Sequence, residues 1–199
     1  LLKLTLHSHD NYIYCLDFSE DGTRMASSSA DKLINLYFVE KFGDSAPVSA
    51  LRHSNSVESF DVYNSKMVTA SADGEVRLWS LPKKEMLSHG THGHSFEDAP
   101  VIALFLAEDR VVSADGKGSI IFWGIDGRTW RKTRVLNNKE DGFLRDLVLT
   151  DDKKYIAASF EFGKVKVWSL KGLRLVYDSP ANSFLGKNPV IDFLKDSKF

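Results

Sequence analysis

The sequence predicts an all-β chain built from a repeated four-strand unit. Four stretches close alike: SADKLINLY (29–37), SADGEVRLW (71–79), GKGSIIFW (116–123) and FGKVKVW (162–168). Their final aromatics, Tyr37, Trp79, Trp123 and Trp168, follow one another at 42, 44 and 45 residues. The segments between them are short β-rich runs cut by turn residues. No stretch sustains a helical period over about ten residues. A fixed period of about 40–45 residues with four strands per repeat is the signature of propeller blades.

In the first repeat, Tyr12–Phe18 reads as the opening strand and Ser19-Glu20-Asp21-Gly22 as the turn after it. Arg24–Ser29 is a second strand of small residues, and Ala30-Asp31-Lys32 a tight turn. Leu33–Phe38 is a third strand, and Val48–His53 a fourth after a loop with Gly43 and Pro47. Apolar residues fall four, seven and nine places after His9 (Ile13, Leu16, Phe18) and after His53 (Val57, Phe60, Val62). The same spacing fits Val101, Leu104 and Leu106, and Leu144, Leu147 and Leu149. A step of three breaks strand alternation, and a one-residue bulge restores it. The blades are expected at about 7–53, 54–89, 94–136 and 140–178, with 186–199 opening another and Leu1–Leu6 closing an earlier one.

These motifs resemble the WD40 repeat family over almost the whole chain. The family's blade opens near Gly-His and ends in Trp-Asp; here the openings are Ser8-His9 and Arg52-His53. The ends are Tyr37-Phe38, Trp79-Ser80, Trp123-Gly124 and Trp168-Ser169, so the terminal Asp is missing throughout. The resemblance implies a partial WD40 β-propeller of about four blades over residues 1–199, from a ring of seven. Further residues of the same chain, or another chain, would complete that ring.

His9, Ser29 and Asp31, and again His53, Ser71 and Asp73, hold the ingredients of a nucleophilic triad. Their recurrence at one period argues for architecture, since an enzyme usually needs one such site. The resemblance implies a hydrogen-bonded chain in which the turn Asp orients the His, the His meets the Ser, and the Ser meets an indole N–H. Trp79 completes the second set, and Tyr37 stands in for it in the first. The third repeat is expected to lose the set, with Lys117 at the Asp position and Asp115 at the Ser position; Ser113 and Asp115 recover it only if the third strand starts two residues late, and the Gly93-His94 pair sits three residues too early for Val101. The fourth has Phe160 and Phe162 there, alternating so as to pack on one face.

Propellers of this kind often bind peptides at positions three and five residues after the repeat's His and just before the turn Asp. Carried onto this chain, these are Tyr12, Tyr14 and Ala30, then Ser56, Glu58 and Ala72, then Pro100 and Ile102, then Phe143 and Arg145. Aromatic and Arg side chains are the types that dominate binding hot spots.

With 26 basic and 27 acidic residues, the net charge of −1 gives no overall pull toward nucleic acid or an anionic membrane. The longest apolar run, Val101 to Ala107, falls far short of the roughly 20 residues of a bilayer span. A single cysteine, Cys15, forms no intrachain disulfide and fits the cytosol or nucleus. His89, His92 and His94 have the residue type of a metal site but no nearby Cys, and read as an inter-blade loop. The basic GRTWRKTR (127–134), with Trp130, could stack on nucleic acid or form an outer strand after the Asp126-Gly127 turn. No catalytic residue, metal or cofactor is assigned. The expected function is a non-catalytic scaffold that docks peptides or domains of partner proteins. The alternatives are a propeller of an RNA–protein assembly and a non-catalytic module of a larger enzyme.

Overall fold

A computed structural model describes residues 7–19, 21–39, 49–93, 95–180 and 191–192. Among the described residues, four four-stranded antiparallel sheets account for the strands. The first is β1 (Ile13–Phe18), β2 (Arg24–Ser29), β3 (Leu33–Phe38) and β4 (Ser49–Arg52). The second is β5 (Val57–Tyr63), β6 (Lys66–Ser71), β7 (Glu75–Ser80) and β8 (Glu85–Thr91). The third is β9 (Pro100–Ala107), β10 (Arg110–Asp115), β11 (Ser119–Asp126) and β12 (Thr129–Asn137). The fourth is β13 (Leu144–Leu149), β14 (Tyr155–Phe160), β15 (Val165–Ser169) and β16 (Arg174–Asp178). In every sheet the strands lie in chain order, so hairpins make each connection within a sheet. Of the expected terminal strands, Leu1–Leu6 lies outside the described residues, as does all of 186–199 except Ile191 and Asp192.

Contacts group the chain into two compact units, residues 1–113 with 121–134, and residues 114–120 with 135–199. In the first unit, Ala26, Ile34 and Leu51 of the first sheet pack on Val57, Phe60, Met67 and Trp79 of the second. Val68, Ala70, Val76 and Leu78 of the second sheet pack in turn on Ala103, Phe105, Val111, Ile121 and Trp123. The second sheet therefore has an apolar layer on either face, which is why its central strand β6 buries consecutive residues instead of alternating. In the second unit, Leu147, Ile156, Ala158, Phe160 and Trp168 are buried.

The opening strands carry the expected bulge. Pairing skips a residue between Ile13 and Cys15, between Val57 and Ser59, and between Leu144 and Asp146. The skipped residues are Tyr14, Glu58 and Arg145. Neighbouring opening strands are also joined by side chains: Ala103 N–H donates to Ser59 Oγ at 3.1 Å, and Phe105 N–H to Asp61 Oδ2 at 2.7 Å. These carboxylate and hydroxyl acceptors satisfy backbone donors that have no strand partner on that side.

The fourth repeat departs from its expected packing. Phe160 is fully buried, but Phe162 is 64 % exposed. The strand ends at Phe160, and Glu161–Gly163 turns as a 3₁₀ segment with Phe162 at φ +63°. Period-two alternation stops there, and the second ring points to solvent.

Candidate functional site

The end of each sheet where the opening strand begins and the second strand stops is organised around the turn that joins strands two and three. In the second sheet, Asp73 Oδ2 accepts from His53 Nδ1 at 3.0 Å and from Ser54 N–H at 2.9 Å. Its Oδ1 accepts from Glu75 N–H at 3.1 Å. His53 Nε2 meets Thr69 Oγ1 at 2.7 Å, and Trp79 Nε1–H donates to the same oxygen at 2.9 Å. A carboxylate only accepts, so the His53 proton sits on Nδ1 and Nε2 accepts from the threonine hydroxyl. Burial pushes the His53 pKa down, with Asp73 opposing, and the ring is held neutral. Burial works to raise the Asp73 pKa, but the His53 and Ser54 hydrogen bonds hold it well below the usual carboxylate range.

The hydroxyl in this chain is Thr69, not Ser71. Met67 lies opposite Trp79 and Thr69 opposite Arg77, so all four share a face. At about 3.4 Å per residue, Ser71 stands about 14 Å along the strand from Met67, beyond the indole's reach. Ser71 Oγ instead accepts from Asp73 N–H at 3.1 Å and holds the turn.

The first sheet repeats both substitutions. His9 meets Asp31 and Ser27, each at 2.7 Å, and Ser29 Oγ accepts from Asp31 N–H at 3.0 Å. Ser27, not Ser29, is the bridging hydroxyl. The Tyr37 hydroxyl lies 3.3 Å from Ser27 Oγ and 2.8 Å from Ser8 Oγ, so it does reach the chain that an indole would close.

The third repeat keeps most of what it was expected to lose. Ser113 stands ten residues before Trp123, as Thr69 does before Trp79. Trp123 Nε1–H donates to Ser113 Oγ at 2.7 Å, and His92 Nδ1 meets the same oxygen at 2.7 Å. His92 N–H bonds Gly74 O at 2.9 Å just as His53 N–H bonds Lys32 O at 3.0 Å, so the two histidines are equivalent. The 3₁₀ turn Phe96–Asp98 takes up the extra residues before β9. Lys117 stands where Asp31 and Asp73 do, and His92 engages its hydroxyl through the other ring nitrogen.

The remaining sequence candidates also find places. His89 pairs with Glu75 at 3.1 Å, His92 is buried, and His94 lies outside the described residues. Among the described residues no three His, Cys, Asp or Glu groups are placed to hold a metal. Within 127–134, Trp130 stacks edge-on against Trp123 at 5.6 Å and donates its indole N–H to Ser88. Lys132 lies over the Trp123 ring and donates to His92 O. The aromatic and one cation of that basic run are thus used inside the first unit.

The expected partner-binding positions are set by the same turns. Tyr12 O accepts from Ala30 N–H, Ser56 O from Ala72 N–H and Phe143 O from Glu161 N–H, which fixes these three as equivalents. Tyr12 is 77 % exposed and the bulged Tyr14 50 %. Ser56 and Glu58 are half-buried and bond each other at 2.7 Å; Ile102 is half-buried. In the second unit Phe143 is exposed, with the Arg145 guanidinium 5.8 Å from its ring and 2.8 Å from Glu161. The bulge itself turns Tyr14, Glu58 and Arg145 away from the regular pleat, a consequence the three-residue step in the sequence did signal.

Consecutive four-stranded hairpin sheets, three of them locked by a buried histidine–hydroxyl–aromatic chain, define a β-propeller. The WD40 model described as WD domain, G-beta repeat matches residues 2–37 and 42–80, and the chain belongs to the WD40-repeat family. It is 28 % identical over 94 % of its length to Mitochondrial division protein 1 of Schizosaccharomyces pombe, covering 33 % of that protein. It is 29 % identical over 79 % of its length to Protein LST8 homolog of Drosophila melanogaster, covering 50 % of it. The chain thus spans half or less of these relatives. The crystal structure of the Cps50 (Swd1) β-propeller domain of Myceliophteria thermophila matches with a TM-score of 0.74 at 15 % identity. That match covers 86 % of this chain and 55 % of the other, and shows the shared fold.

Proposed function

We infer that this chain is a non-catalytic scaffold whose turn-bearing end docks peptides or domains of partner proteins. The WD40 propeller fold and WD-repeat relatives support a protein-interaction role. The observation that carries the finer reading is the exposure of Tyr12 and Tyr14 beside a turn clamped by Asp31. Two rigid aromatic side chains on an immobilised backbone bind at low entropic cost. In the second unit Phe143 and Arg145 form a comparable exposed pair. The Ser, His and Asp groups here are saturated with structural hydrogen bonds, which leaves no activated nucleophile among them. The lone Cys15 supports a reducing compartment, the cytosol or nucleus.

The test is quantitative affinity capture with the full chain and with a Tyr12→Ala/Tyr14→Ala variant. Specific partners should be depleted from the variant at an unchanged melting temperature. Identical partner profiles would remove these tyrosines from the interface.

A further inference from the structure

At the opposite end of the first two sheets from Tyr12, the turns after β1 and β5 flank a cavity of about 370 Å³. Its inner wall includes Ala26, Phe60 and Met67, all buried. Its mouth is flanked by Phe18 and Phe38, 51 % and 36 % exposed. A space of this size, walled by aromatic and thioether groups, suits one or two large apolar side chains.

The polar groups at the mouth are unequal. Asp21 accepts from the Ser19 and Thr23 hydroxyls and from Thr23 N–H, and these bonds hold its pKa down to about 2. Asp17 accepts from Phe18 N–H. Both carboxylates thus take part in fixing the local backbone. Arg24 differs: its guanidinium lies 5.6 Å from the Phe38 ring centre and, among the described residues, acts on Asp21 through its charge without closing an ion pair or hydrogen bond. A guanidinium held beside an aromatic ring presents a fork of donors shaped for a carboxylate.

We propose that this cavity binds a peptide segment of a partner protein in which a large apolar side chain stands beside an acidic residue. The apolar side chain enters between Phe18 and Phe38, and the neighbouring carboxylate pairs with Arg24. The site is separate from the tyrosine-bearing end and does not depend on it.

The cavity contains its own reporters. Met25 and Met67 line it, and Met86 does not. The full chain, labelled with ¹³C at the methionine methyls, is titrated with the capped hexapeptide Gly-Ser-Phe-Glu-Ser-Gly. Matched peptides carry Lys in place of Glu, or Ala in place of Phe. Saturable shifts are expected at Met25 and Met67 and not at Met86. Affinity should fall about tenfold with the Lys peptide and be lost with the Ala peptide. Arg24→Gln should erase the preference for Glu over Lys, while Arg24→Lys retains part of it. Unshifted Met67 resonances in the unliganded variants establish that the core is intact, since that side chain is fully buried. Tyr12→Ala/Tyr14→Ala should leave the titration unchanged, so this site and the proposed rim function fail separately. No shift at millimolar peptide, equal affinity for the Glu and Lys peptides, or tighter binding of decanoate than of the Phe-Glu peptide would each overturn the proposal.

Discussion

The second and fourth sheets use one register and fill it with opposite chemistry. Ten, eight and six residues before the closing tryptophan, the second has Thr69, Ser71 and Asp73; the fourth has Ala158, Phe160 and Phe162. In the second sheet the hydroxyl ties Trp79 to His53, and Asp73 ties His53 to the turn. In the fourth, Ala158 and Phe160 fill the interior with apolar atoms. The polar partners move elsewhere. Asn138 takes the histidine's backbone place, its N–H bonding Gly118 O at 3.0 Å. Lys166, two residues before Trp168 as Arg77 is before Trp79, reaches in to Asp141 and Asn138. Lys164 closes on Asp141 at 3.0 Å. Burial acts to raise the Asp141 pKa, but the two lysines hold it below the usual carboxylate range. A blade therefore needs its incoming segment fastened to its core, and a buried ion pair fastens it as a neutral histidine chain does.

The largest effects should come from removing the anchors. Trp79→Ala should cost about 3–5 kcal/mol, as expected for a buried aromatic. Trp79→Phe should isolate the indole hydrogen bond at about 1–3 kcal/mol. Chemical denaturation checks both, and an unchanged midpoint for Trp79→Ala would contradict its burial. On the other side of the comparison, Lys166→Met should cost about 3 kcal/mol by leaving Asp141 with Lys164 alone. The double variant Lys166→Met/Asp141→Leu should regain most of that loss. If it does not, the ion pair contributes more than an apolar filling can replace.

Thr69→Ala should cost about 1–3 kcal/mol, because it strands the Trp79 donor and the His53 acceptor. Ser71→Ala should cost about 1 kcal/mol, since it loses only the turn bond from Asp73 N–H and a long bond to Asn55 O. The reverse order in paired melts would return the bridging role to Ser71.

Acid should separate the two sheets in turn. The His53 pKa is depressed below 6.5, so the stability it contributes is full above that pH and lost as pH falls through its folded value. The Asp73 and Asp141 pKa values are depressed below 3.8, so their contributions persist to lower pH and then disappear. Protection of the Thr69 amide, taken relative to its intrinsic exchange rate at each pH, should begin to fall once pH drops below 6.5, while that of Ala158 holds until the carboxylates titrate. Simultaneous loss of protection would mean that the histidine does not set the second sheet's acid limit.

The smallest expected effect is a gain. Phe162 is exposed at positive φ, and Phe162→Gly should raise stability by about 1 kcal/mol. Loss of partner capture in the same variant would show that the exposed ring is retained for binding.

Much of the fold was legible. The closing aromatics gave the period, and the three-residue step gave the bulges at Tyr14, Glu58 and Arg145. The turn aspartates Asp31 and Asp73 and the histidines His9 and His53 were also readable, because turn chemistry is local. The bridging hydroxyl was misread by two residues in both repeats. Positions 27 and 29, or 69 and 71, share a strand face, and sequence alone does not say which one lies diagonal to the aromatic. The same register choice set Ser113 aside in the third repeat, which keeps its hydroxyl and indole. The Gly93-His94 pair drew attention from His92, which takes the histidine's place.

What the sequence determined by itself is whatever repeats locally: strand, turn, bulge and blade period, each set by neighbours a few residues apart. Only the tertiary structure decided which hydroxyl meets the indole, which phenylalanine is buried, and that Lys166 finds Asp141 across 25 residues. Those pairings depend on cross-strand register and on a turn's exit angle, and both are fixed by packing between strands rather than by the chain's own local preferences.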